Sequence, residues 1–133
     1  MVKRGDNTEL TSAMDKILDN KTDNTPQAIQ SCHELHKWMI PQLDKFPRNR
    51  RFTLGEKIEV QLLEVMSLLI DARYRLRGKA KVLGEINIKL TLVRHLWRLA
   101  FELRAIAQKS YRYGSQLLVA LGKQIGGWQK TSR

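Results

Sequence analysis

Apolar side chains in this chain recur at intervals of three and four, and nowhere do they alternate as they would in a strand. At 100° per residue that spacing gathers them on one face, so the pattern predicts an all-α protein. The longest uninterrupted stretch is residues 82–106, where Leu83, Ile86, Leu90, Val93, Leu96, Trp97, Ala100 and Leu103 form one stripe. A helix of that length spans roughly 37 Å and needs partners of similar length to cover it.

Three further segments supply them. Residues 26–46 predict a first helix, with Thr25 as N-cap, Pro26 at the first helical position and a stripe of Ile29, Cys32, Leu35, His36, Met39, Leu43 and Phe46. Pro41 predicts a kink within it. Residues 46–51 read as a loop, after which Thr53 and Glu56 have capping-box spacing, with Phe52 placed to staple onto the first turn. That second helix runs to about Arg77 on Leu54, Ile58, Leu62, Val65, Met66, Leu69, Ile70 and Tyr74. A tight connection at residues 107–109 leads to a fourth helix carrying Leu117, Leu118, Leu121 and Ile125. Gly126 and Gly127 are expected to stop it, with Trp128 folding back as an apolar plug. Gly114 and Gly122 cost a helix about 1 kcal/mol each, so close helix contact is the better reason for them. The expected architecture is an up-down-up-down four-helix bundle over residues 26–130, with residues 131–133 as a tail. Residues 1–25 form an N-terminal arm, in which Asp6 and Glu9 have capping spacing and residues 8–20 predict a short amphipathic helix.

Charge changes the picture. The chain carries 24 Lys and Arg against 13 Asp and Glu, a net +11, and the arm contributes none of the excess. Residues 26–133 hold twenty basic and eight acidic side chains. A bundle this basic repels itself unless a polyanion neutralises it, and nucleic acid is the usual one. An acidic protein partner and an anionic membrane surface are the other readings. One cysteine, Cys32, excludes an internal disulfide and suits a reducing compartment, and there is neither a secretory signal nor an apolar run of membrane length. A cytoplasmic protein that does not enter a membrane is expected.

The catalytic inventory is thin. The carboxylates of the helical body form no obvious close pair, and no serine elbow or Gly-rich phosphate loop is present. Cys32, His33 and His36 have a tempting spacing, but Cys32 and His36 share the apolar face, where a core cysteine beside a packed histidine is the better reading. No enzyme, cofactor or metal is expected.

The basic residues fall in three groups. Arg48, Arg50 and Arg51 lie in the loop before the second helix. Arg73, Arg75, Arg77, Lys79 and Lys81 cluster at its far end, five cations within nine residues. Helix-dipole capping accounts for one or two of them. Arg94 and Arg98 sit one turn apart midway along the third helix, where Glu102 could pair with them. A long polyanion running along the body fits this spread better than one small anion. Val60, Leu63, Leu68, Ile88, Leu92 and Phe101 exceed what one bundle can bury, which predicts a homo-oligomer.

The Arg-Phe-Thr-Leu-Gly-Glu run at residues 51–56, Ile58, Glu59, Ala72, residues 90–100 with Arg94 and Arg98, and the Ile-Gly-Gly-Trp at residues 125–128 resemble the accessory variability (Avd) proteins of diversity-generating retroelements. The resemblance covers residues 28–130. It implies a ring-shaped homopentamer of basic bundles that binds the element's reverse transcriptase, its template RNA and the cDNA. It also implies support of cDNA synthesis in mutagenic retrohoming, with the family's binding role carried by Arg94 and Arg98. Ala107 stands where family members often open the fourth helix with Ser, which weakens that cap. Proteins encoded in ribosomal-RNA intervening sequences are a related family, but their Ser-Asn-Ile-Ala-Glu-Gly stretch is absent. The alternative is an oligomeric helical scaffold for an acidic protein partner or ribosomal RNA, without a reverse transcriptase.

Overall fold

The computed structural model describes residues 25–133; the helix expected at residues 8–20 lies outside them. Among the described residues there are four long helices and no strand: α1 (Thr25–Asp44), α2 (Glu56–Tyr74), α3 (Lys79–Glu102) and α4 (Gln108–Thr131). Each helix packs on its neighbour in sequence, and α4 returns to α1. Contacts at both ends show that α3 and α4 run antiparallel. Gln129 Nε2, near the end of α4, donates to the Ala80 carbonyl at the start of α3, 3.1 Å away. Trp97, late in α3, donates its Nε1–H to the Tyr111 carbonyl at the start of α4, 3.0 Å away.

The stripes meet in one core of Cys32, Leu35, Met39, Leu43, Ile58, Leu62, Leu69, Leu83, Ile86, Leu90, Trp97, Leu118 and Leu121, with smaller residues between them. Pro41 lies inside α1, which continues past it to Asp44. His36 joins α1 to α2: its two ring nitrogens lie 2.8 Å from the Cys32 carbonyl oxygen and 2.6 Å from that of Leu62. A Cβ on Gly114 would stand 2.7 Å from the Trp97 indole, so α4 approaches α3 as closely as the sequence implied at this position.

Several expectations are corrected. Residues 46–51 are not simply a loop. Pro47 starts a helical turn at Arg48–Arg50, accepting from the Arg50 and Arg51 amides at 2.8 and 3.0 Å, and Arg51–Gly55 continues it as a π-helical turn into α2. Thr53 therefore caps nothing; its hydroxyl donates back to the Asn49 and Arg50 carbonyls, both at 3.4 Å. Phe52 staples nothing either, being 63% exposed. The turn brings Gly55 against α1, where a Cβ would lie 3.4 Å from the Phe46 ring.

At its other end α2 stops at Tyr74 rather than Arg77, because Arg75 is extended and Gly78 is left-handed. Gly126 and Gly127 do not end α4, and Trp128 does not fold back. It sits 2% exposed on the face of Leu118, Leu121 and Ile125, and its burial carries the helix through both glycines to Thr131. Ile70, Tyr74 and Leu103, assigned to core stripes by periodicity, are exposed.

The α3 end is a Schellman turn: the Arg104 amide donates to Phe101 at 2.9 Å and the Ala105 amide to Ala100 at 2.8 Å. Arg104 occupies the left-handed position that usually takes glycine, with φ +62°.

Candidate nucleic-acid interface

The basic residues expected to bind a polyanion do not form one patch. Arg48, Arg50 and Arg51 stand at the start of the α2 rod and Arg73 at its end, separated by about 1.5 Å per residue along the 19 residues of α2. The π-helical turn displaces Phe52 outward, and Arg51 lies over its ring at 4.8 Å. The first group is thus a helix start with cations and one exposed aromatic side chain. Its cations oppose the positive helix N-terminus, which capping cannot explain.

The second group straddles the α2–α3 turn. Arg75 is committed to that turn: its guanidinium pairs with Asp71 at 3.0 Å and donates to the Arg77 carbonyl at 3.4 Å. Arg73 lies over the Tyr74 ring at 5.5 Å, and the Lys79 ammonium donates to the Arg73 carbonyl at 3.5 Å. Because α2 ends early, Lys79 and Lys81 open α3 instead of closing α2. They therefore sit at the end of the helix dipole that disfavours cations, so dipole capping does not account for them. Arg77 and Lys81 are exposed.

Arg94 and Arg98 are the best placed of the expected residues. They line a cleft of about 240 Å³ between α3 and α4, facing Tyr111, Ser115 and Val119. Arg98 pairs with Glu102 one turn on at 3.3 Å, with both side chains more than half exposed. Such a solvated pair holds little free energy and yields to a stronger anion. Among the described residues no carboxylate pairs with Arg94.

The basic residues of α4 were not singled out by the sequence pattern, although the helix itself was. From Leu103 to the end at Arg133 there is no Asp or Glu, while Arg104, Lys109, Arg112, Lys123, Lys130 and Arg133 are all basic. The Lys-Ser-Tyr-Arg-Tyr run at residues 109–113 interleaves cations with aromatic rings, a recognisable nucleic-acid signal. Tyr111 stacks on Phe101 at 4.4 Å toward α3, whereas Tyr113 meets Trp38 at 4.8 Å toward α1.

Apolar side chains also face outward. Val60, Leu63, Ile70 and Tyr74 on α2, and Ile88, Leu92 and Leu99 on α3 with Leu103 at its C-cap, are each at least 39% exposed. Their spacing places each set on one stripe, roughly opposite its helix's core face. Leu68 and Phe101, expected among the surplus, are instead partly buried. Between the stripes Lys89 donates to Glu64 at 2.8 Å and holds that carboxyl below its ordinary range.

Cys32 and His36 belong to the core. The Cys32 sulfur is 3.6 Å from His36 Nδ1, and burial pushes its thiol up to about 12. Among the described residues no three His, Cys, Asp or Glu side chains are grouped to hold a metal, and no helix is long and apolar enough to cross a membrane.

Fold and surface together define a basic four-helix bundle with a cation-lined cleft between α3 and α4. The family described as bAvd-like matches residues 27–132, most of the chain, and the chain belongs to that family. It is an accessory protein of the Avd type. No curated protein and no solved structure matches it.

Proposed function

We propose that this chain is a non-enzymatic subunit that binds a retroelement reverse transcriptase, its template RNA and the resulting cDNA, and supports mutagenic cDNA synthesis in the cytoplasm. The observation that carries the nucleic-acid part is the α3–α4 cleft. There Arg94 and Arg98 of α3 face Tyr111 of α4, a helix that has no carboxylate of its own. Cations so arranged exchange small counterions for phosphates, and the gain is entropic and sensitive to salt. Membership of an Avd-type family supports the retroelement context. No cofactor or metal enters this account.

The outward stripes of α2 and α3 supply the second element. Apolar rows at two neighbouring helices favour association with further copies, and a closed ring of five is the form we propose. Stripes on one chain that meet different stripes on the next generate a ring when the rotation closes.

Reconstitution tests the reading. The chain should co-purify with the reverse transcriptase of its retroelement, and cDNA made on the template RNA should depend on adding both. Light scattering in about 150 mM salt should give a ring-sized mass that rises with RNA, although charges there are screened beyond about 8 Å. A monomer indifferent to RNA, with cDNA synthesis unchanged by its omission, would refute it.

A further inference from the structure

Between α1 and α4 lies a second cleft, of about 530 Å³, that contains none of the residues singled out from the sequence. Its aromatic wall is a relay from core to surface. Trp97 is fully buried, Trp38 is partly buried and meets it edge-on at 6.0 Å, and Tyr113 meets Trp38 at 4.8 Å with 47% of its surface in water. Lys109 and Arg112 stand exposed beside these rings, and the cleft has no Asp or Glu in its lining.

Each component has an ordinary explanation alone: Trp38 packs the bundle, and Lys109 and Arg112 solvate it. Together they place one exposed and one partly buried aromatic side chain within one concave surface flanked by two cations. Tyr113 and the open part of Trp38 offer aromatic surface that a flat apolar group can cover, and the cations suit a group that carries phosphate. Bases within a duplex already have both faces covered by their neighbours. An aromatic wall is therefore accessible only to a base that has left its stack.

We propose that this cleft holds an unpaired nucleotide of a single-stranded nucleic acid, its base against Trp38 and Tyr113 and its phosphates against Lys109 and Arg112. The inference rests on the nucleic-acid reading above and narrows it to single strands. Gln108 and Gln116 at the rim can donate or accept, so they favour no particular base. Arg94 and Arg98, on the opposite flank of α4, hold the neighbouring backbone. The first turns of α4 then form a saddle, with a base on the α1 side and phosphates on the α3 side.

Tryptophan fluorescence of the full chain reads this directly. Trp97 and Trp128 are 0% and 2% exposed, which leaves Trp38 as the tryptophan open to a ligand. The protein is titrated with a single strand of about ten nucleotides, within the usual site size of such surfaces. The same strand annealed to its complement and an abasic phosphodiester of equal length serve as the other ligands. The natural strand should quench the fluorescence, and the abasic strand should bind about tenfold more weakly without quenching, the loss expected for one base-aromatic stack. Tyr113→Ala should lose the same factor for the natural strand and nothing for the abasic one. Lys109→Gln with Arg112→Gln, both at exposed positions, should weaken natural and abasic strands alike. Equal affinity for natural and abasic strands would overturn the cleft, as would a folded Tyr113→Ala protein with full affinity. If Arg94→Gln with Arg98→Gln still weakened binding in that case, the accessory reading would stand without the cleft. Failure to bind any strand or duplex would overturn both.

Discussion

Gly114 of α4 lies directly against the indole of Trp97 in α3, so close that a single methyl group there would stand 2.7 Å from three atoms of the ring. Trp97 cannot retreat easily. It is fully buried, and its Nε1–H is fixed on the Tyr111 carbonyl one turn before Gly114. Helix propensity alone favours alanine over glycine by about 1 kcal/mol. We expect overpacking to win: Gly114→Ala should lower stability by about 1–3 kcal/mol in a denaturant titration. A gain in stability would show that α3 and α4 are not in contact here.

Arg104 presents the opposite case. Its left-handed backbone closes α3, and its side chain is exposed. Removing the Cβ relieves about 1–2 kcal/mol of steric cost, partly offset by the extra freedom glycine gives the unfolded chain. Arg104→Gly should therefore raise the melting temperature, with a net gain of up to about 1 kcal/mol. Arg104→Ala keeps the Cβ and should give no such gain.

Cys32 should be chemically silent in the folded protein. Its thiol is fully buried and raised to about 12, so almost no thiolate exists at neutral pH. A thiol reagent should label it only as fast as the protein unfolds, and at once in denaturant. Rapid labelling under native conditions would place α1 elsewhere.

Glu64 should titrate below an ordinary glutamate because the Lys89 ammonium hydrogen-bonds to it and attracts its charge. A carboxyl lowered on folding stabilises the protein at pH above its unfolded-state pKa, and that contribution is lost as pH falls through the folded value. The pair is half exposed, so the effect on stability is small. The direct readout is the Glu64 side-chain NMR titration, whose midpoint should rise in Lys89→Met. An unmoved midpoint would remove the α2–α3 pair.

Most of the fold was legible because burial follows periodicity. Cys32, Leu35, Met39, Leu43 and Phe46 are buried as spaced, as are Leu83, Ile86, Leu90, Val93, Trp97 and Ala100. The failures lie where local signals compete with packing. Thr53 and Glu56 imitate a capping box, yet Pro47 has already started the helix and Gly55 lets its π-helical turn lie on Phe46. Gly126 and Gly127 read as a stop, but each costs only about 1 kcal/mol, and burying Trp128 outweighs them. Ile70, Tyr74 and Leu103 satisfied the period loosely and ended up outside.

The candidate site was legible in part. Arg94 and Arg98 were found beside the α3 core face and do line a cleft, but its other wall comes from α4. Trp38 is remote in sequence from Lys109, Arg112 and Tyr113, so only the return of α4 onto α1 reveals that they share a surface. The absence of carboxylates after Glu102 was visible in the sequence and is the signal that could have marked α4.

Whether the flanks of α4 bind nucleic acid through phosphate is read from the salt dependence of binding. RNA affinity is measured across a salt series for the wild-type chain and for Arg94→Gln with Arg98→Gln. Log affinity should fall steeply with log salt, and the double variant should bind more weakly. The variant's slope should be shallower by about 0.7 for each single-strand phosphate it no longer neutralises. An affinity that ignores salt, or a double variant with the wild-type slope and affinity, would rule out phosphate binding at this cleft.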